Sequence, residues 1–159
     1  MKSFTHINKD HQIQMVNVSK KMATKRIAIA QCIILMTKQT LQLIQNNKIA
    51  KGEVLTTAKL AGIMAAKKTS DLIPLCHPLM INHIEIDYQF DTKHSHLLIT
   101  SKCETHGPTG VEMEALTSVT ICALTIYDMC KAVEKSMSIS NVQLIYKSGG
   151  KSGIYKAKN

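Results

Sequence analysis

The sequence predicts an α+β fold: an antiparallel sheet with helices packed on one of its faces, in a single domain spanning residues 1–159. Two observations lead there. Residues 84–90 alternate, with Ile84, Ile86, Tyr88 and Phe90 separated by Glu85, Asp87 and Gln89, the pattern of a strand with one buried face. Leu97, Ile99 and Cys103 continue that period once residues 91–93 have turned the chain back. Residues 110–135 instead repeat their apolar positions at helical spacing, so a long helix follows the hairpin. Hairpins and helices in this order make a sheet covered by helices.

From the N-terminus, residues 15–19 (MVNVS) alternate and read as a short strand. Residues 24–45 place Ile27, Ile34, Leu41 and Ile44 at helical spacing, widened by Ile33 and Met36, and predict a helix ended by Asn46-Asn47. Residues 54–67 predict a second helix, whose Ala58, Ala61, Gly62, Ala65 and Ala66 let another element approach closely. Pro74 and Pro78 make residues 69–79 (TSDLIPLCHPL) an ordered loop. Thr109-Gly110-Val111-Glu112 spells a capping box ahead of the long helix, and Pro108 keeps that helix from starting earlier. Val142, Leu144 and Tyr146 alternate in a last strand, giving the order β-α-α-β-β-α-β.

Lys and Arg number 20 against 11 Asp and Glu, a formal charge of +9. Such a chain seeks an anion: nucleic acid, anionic lipid or a phosphorylated small molecule. With no Trp, two Phe and four Tyr it has few platforms for stacking bases. It also carries no helix-turn-helix, zinc-finger or RNP signature. A concentrated phosphate, such as a nucleoside triphosphate, ranks first. Apolar runs are broken before membrane-spanning length, and residues 1–12 (MKSFTHINKDHQ) lack the apolar segment of a signal peptide; a cytoplasmic protein with no membrane partner is expected. Cys32, Cys76, Cys103, Cys122 and Cys130 form no CxxC pair and suit free thiols in a reducing compartment.

On the long helix, Val111, Ala115, Val119, Cys122, Ile126, Met129 and Val133 share one apolar face. Glu114, Thr117, Asp128 and Lys131 lie on the other side together with Ile121 and Leu124, a mixture that suggests a second contact surface, such as another subunit. Asp128 and Lys131 are close enough to touch, either as a surface ion pair or as a functional one. Glu114 and Asp128 are fourteen residues apart, ~21 Å along a straight helix. They cannot share a small-molecule site within one chain, but they can meet across a symmetric dimer.

In Leu75-Cys76-His77-Pro78, flanking prolines stiffen a loop whose His can donate to phosphate or move a proton. A packed loop with Cys76 turned inward is an equal reading, and no residues at zinc spacing accompany the pair. His94-Ser95-His96 reads as a polar hairpin, Lys51 as a solvated lysine ahead of the second helix, and Lys67-Lys68 as complements to that helix's dipole. KSGGKSG at 147–153 is not a P-loop, because Ile145 stands where the first glycine belongs and only seven residues follow Ser152. It is either a flexible basic tail or a glycine-loosened lysine clamp.

Seven stretches, in order and spacing, resemble one family: THIN at 5–8, MVNVS at 15–19, KGEV at 51–54, DLIPLCHPL at 71–79, TGVEMEALT at 109–117, LTIYDMCKAV at 124–133 and KSGGKSG at 147–153. It is the molybdenum-cofactor biosynthesis protein C family, whose members are cyclic pyranopterin monophosphate synthases. The resemblance implies a ferredoxin-like fold, a homohexamer built as a trimer of dimers, and a site at the dimer interface. It implies a substrate, 3′,8-cyclo-7,8-dihydro-GTP, delivered by a radical S-adenosylmethionine GTP cyclase and converted to cyclic pyranopterin monophosphate and pyrophosphate. It assigns catalysis to Asp128, Lys131 and Lys51. Substrate contacts fall to Leu75, Cys76, His77, Met113, Glu114 and Glu112, and phosphate-facing roles to Arg26, Lys67 and Lys147. KSGGKSG then becomes a phosphate clamp. No resident metal or cofactor is implied, though Mg²⁺ can accompany the triphosphate. Asn17, Glu53 and Pro108 depart from the family pattern, none at a catalytic position. Two other readings stand beside this one: a basic nucleic-acid-binding module, and a non-catalytic subunit of a pathway complex.

Overall fold

A computed structural model describes residue 7 and residues 10–158. Of the THIN stretch, residues 5, 6 and 8 therefore lie outside the described residues. The elements run β1 (Thr24–Leu35), α1 (Lys38–Gln45), α2 (Val54–Lys67), α3 (Thr69–Leu72), β2 (His83–Asp91), β3 (His96–Gly107), α4 (Glu112–Cys130), β4 (Ser138–Ser148) and β5 (Tyr155–Lys156). The sheet order is β2-β3-β1-β4-β5 and every pairing is antiparallel. Two β–helix–β units with β3 and β1 at the centre make a ferredoxin-like α+β domain, extended at one edge by β5.

The largest correction concerns residues 24–35, which form the central strand rather than a helix. Ala28, Ala30, Cys32 and Ile34 are fully buried at every second position, while Ile27, Ile29, Gln31 and Ile33 are half-buried on the other face. Because both faces are largely apolar, the period of two is hidden, and isoleucines seven apart imitate a helical stripe. The β-branched run packs well between two strands. Only residues 38–45 are helical, and the Thr37 side chain caps that helix by accepting from the Thr40 amide at 3.3 Å.

Residues 15–19 form no strand. Both sides of β1 are occupied, by β3 and β4, and Val16 and Val18 find their apolar contacts along a cleft instead. The segment 69–79 is an ordered loop only after the short helix α3. The capping box does not form: Val111 is the N-cap of α4 and offers no side-chain bond, while the Glu112 carboxylate turns to Lys147. The helix ends at Cys130, short of residue 135.

α2 and α4 cover one face of the sheet. Ala115, Val119, Cys122 and Ile126 of α4 are fully buried, so this helix, long and apolar enough to cross a membrane, is a core helix. Gly62 permits the close helix contact: a Cβ there would come within 3.0 Å of the Ser118 carbonyl oxygen and 3.2 Å of the Cys122 Cβ. All five cysteines are free thiols.

Candidate active site

α4 carries a chemical cluster at each end. At its N-terminus the loop after α3 brings Leu75, Cys76 and His77 against Glu112, Met113 and Glu114, enclosing a cleft of about 390 Å³ whose walls also include Val16, Val18 and Lys21. Glu114 is 4% exposed, buried within its own chain. Burial pushes its carboxyl up to about 7, opposed by its own backbone amide and reinforced by the nearby Glu112 carboxylate. A carboxyl poised near neutrality can give or take a proton. The Cys76 thiol is held above its ordinary value by burial and by Glu114, so it stays protonated at neutral pH and serves as a weak donor rather than a nucleophile.

Beyond Glu112 the cleft opens into a basic groove of about 290 Å³, with Lys21, Arg26, Lys147, Lys151 and Ser152 on its walls. Lys21, Thr109, Gly110 and Glu112 line both spaces. Lys147 Nζ donates to Glu112 Oε1 and to Ser152 Oγ, each at 2.9 Å. Gly149 and Gly150 have φ of +93° and +73°. A Cβ at the first would strike the Lys25 carbonyl, and at the second the Arg26 guanidinium. Glycine is required there for the KSGGKSG turn to lie against β1. Arg26 donates through Nε to the Gly107 carbonyl at 2.9 Å and through Nη2 to the Pro108 carbonyl at 3.0 Å, so it holds the loop ahead of α4 as well as facing the groove.

At the other end of α4, Lys131 Nζ lies 2.6 Å from Asp128 Oδ1. Lys51, from the turn before α2, donates to the Asp128 carbonyl oxygen at 2.8 Å and to Oδ2 at 3.3 Å. The hydrogen bonds from Lys131 and then Lys51 hold the Asp128 carboxyl below its usual range, and the same contact with Asp128 raises Lys131. Lys131 is therefore a charged ammonium anchored on a carboxylate.

The chain thus gathers Leu75, Cys76, His77, Glu112, Met113 and Glu114, joins Arg26 and Lys147 to them, and groups Lys51, Asp128 and Lys131 apart from both. Lys67 is exposed on the last turn of α2 and lines neither space. Lys21 was not singled out, for it shows in the sequence only as half of a Lys-Lys pair. Lys51 pairs with Asp128 from 77 residues away, which local spacing cannot reveal. The hairpin histidines behave as polar turn residues, with His94 Nδ1 2.8 Å from Asp91 Oδ2.

A ferredoxin-like domain in which an acid–base cleft runs into a basic groove is suited to an enzyme acting on a phosphorylated small molecule. A model of the MoaC family matches residues 15–150, most of the chain, and the chain belongs to that family. It therefore has a role in molybdenum cofactor biosynthesis, within a family of molybdopterin-synthesis enzymes that act on a small-molecule substrate.

Proposed function

We propose that this protein is a cyclic pyranopterin monophosphate synthase, converting 3′,8-cyclo-7,8-dihydro-GTP to cyclic pyranopterin monophosphate with release of pyrophosphate. The observation that carries the reading is the junction at Glu112, where the cleft holding Glu114, Cys76 and His77 shares its wall with the groove of Lys21, Arg26, Lys147 and Lys151. The fused rings occupy the cleft and the triphosphate extends into the groove. Ring opening and pyrazine formation move protons at nitrogen and at ribose carbons, work for Glu114 and for Lys131 on Asp128. A ribose hydroxyl then attacks the α-phosphorus, forming the cyclic ester as the bond to the pyrophosphate oxygen breaks. Fixed cations stabilise the charge that builds on the departing group.

Lys51, Asp128 and Lys131 come to this cleft from a second subunit, in a homohexamer arranged as a trimer of dimers. A radical S-adenosylmethionine GTP cyclase supplies the substrate, in the cytoplasm. No resident metal is assigned, and Mg²⁺ can accompany the triphosphate. Neither nucleic acid nor a membrane is a partner. The test is incubation with enzymatically prepared cyclised GTP, assaying pterin product and pyrophosphate together. Both in equal amounts are expected; neither forming, from folded protein and authentic substrate, overturns the reading.

A further inference from the structure

The turn after α4 holds a carboxylate that the proposed chemistry does not use. Glu134 Oε2 accepts from the Thr37 amide at 2.9 Å and from the Thr37 hydroxyl at 2.8 Å. Its Oε1 accepts from the same amide at 3.2 Å and from the Ser136 hydroxyl at 2.9 Å. Thr37 is the N-cap of α1, so Glu134 ties the chain leaving α4 to the open end of a distant helix. A second strut lies beside it, where the Tyr127 hydroxyl donates to the Lys135 carbonyl at 3.0 Å. Between these ties stands Lys131, the C-cap of α4, its amide 2.8 Å from the Tyr127 carbonyl. The Glu134 amide in turn donates to the Cys130 carbonyl at 3.1 Å.

We propose that Glu134 is a positioning residue: by fastening the turn after α4 to the N-terminus of α1, it fixes Lys131 against Asp128. This rests on the proposed role of Lys131 in proton transfer. A surface lysine has four rotatable carbons and no fixed place. Its 2.6 Å contact with Asp128 holds only if the backbone on either side is held. Asp128 is gripped by α4 and by Lys51, whereas Lys131 lies just past the helix, where a chain ordinarily frays. Glu134 suits the task because it remains a carboxylate at any working pH. Burial acts to raise it, but hydrogen bonds from Thr40, Thr37 and Ser136 outweigh that and hold it at about 2. The titratable groups that face Lys131 are Asp128 and Tyr127 on α4, with Lys51 sharing the same carboxylate from the turn before α2.

The test uses the full chain with Glu134→Gln, which removes the charge, and Glu134→Asp, which keeps the charge and shortens the reach. Steady-state turnover of cyclised GTP is measured beside the titration of Lys131 Nζ, followed by NMR on lysine-labelled protein. The expected result is a kcat lowered by about 10-fold or more with KM little changed, since small misplacements act on rate. With it, Lys131 titrates at lower pH than in the parent in both variants, because its contact with Asp128 is loosened. A purely structural role would lower the melting temperature and leave that titration where it is. Unchanged Lys131 titration in both variants overturns the proposal, and so does a parental kcat in both. The titration needs no turnover, so it stands even if the assigned substrate is wrong, which a parent protein that leaves cyclised GTP unchanged would mark separately; Lys131→Ala turning over at the parental rate would instead remove Lys131 from the chemistry.

Discussion

Glu112 and Glu114 share the first turn of α4 and meet opposite surroundings. Glu112 is ion-paired with Lys147 at 2.9 Å, and Glu114 is buried with its carboxyl pushed up to about 7. The folded protein holds that proton more tightly than the unfolded chain, whose ordinary value is 4.5. Folding thus takes up a proton between these values, so this group's contribution to stability is largest below pH 4.5 and is lost as the pH rises to about 7. Urea unfolding across that window should show the decline in the parent and a flatter profile in Glu114→Gln; parallel profiles would place the carboxyl in water. Lys131 allows a sharper test. As a surface ion pair alone, screened by solvent, it would contribute little to stability, and Lys131→Ala would leave turnover intact. If it moves a proton, Lys131→Ala lowers kcat by about 10²-fold with the fold unchanged. Lys131→Arg keeps the charge beside Asp128 but cannot release its proton near neutral pH, so it should bind substrate and fail to make product. Normal turnover in that variant would reduce Lys131 to an electrostatic contact.

Among the elements, α2 and α4 depend most on a single small side chain. Gly62→Ala gains about 0.8–1 kcal/mol of helix propensity, yet its methyl meets a backbone carbonyl at 3.0 Å and the Ile86 side chain at 2.6 Å. The carbonyl belongs to a buried helix and cannot move aside, so overpacking of about 1–3 kcal/mol should win. A lowered urea midpoint is expected, and a raised one would mean that the helices yield. That contact was legible in the sequence because a run of small residues at 58–66 has one simple use, close approach. The β2–β3 hairpin was legible because one face is polar. β1 was not, because a central strand covered on one face and apolar on the other hides its period. The capping box misled because its glutamate is claimed by Lys147, 35 residues away, and the Lys51–Asp128 pair was invisible for the same reason of sequence distance. The cleft residues were found as motifs, but the burial of Glu114 is a tertiary fact: the 75–77 loop of the same chain lies against a helix face that the sequence alone reads as a contact surface for another subunit.

For the whole molecule the governing fact is the length of α4. Glu114 and Asp128 stand near opposite ends of it, ~21 Å apart, and no bending of a packed core helix brings them together. Leu60, Met64 and Leu124 on the helical layer are 60%, 52% and 48% exposed, and Ile27, Ile29 and Ile33 are only half-buried on the opposite sheet face. Apolar surface of this extent is what assemblies cover. If each cleft takes Glu114 from one chain and Asp128 from its two-fold partner, Glu114→Ala and Asp128→Ala are each inactive alone, because every site lacks one group. In a mixed dimer one site loses both groups and the other keeps both. Random exchange at equal amounts should therefore recover about a quarter of parental activity. The reciprocal mixture sharpens the inference. Parent protein exchanged with an equal amount of the Glu114→Ala/Asp128→Ala double variant keeps about half its sites if each chain is self-sufficient, but about a quarter if sites are shared, because every mixed dimer is then dead at both. Recovery in the first mixture together with the deeper loss in the second requires a shared site. With exchange verified, no recovery in the first and half in the second would mean that each chain depends on its own Glu114 and its own Asp128, and would sink the shared site.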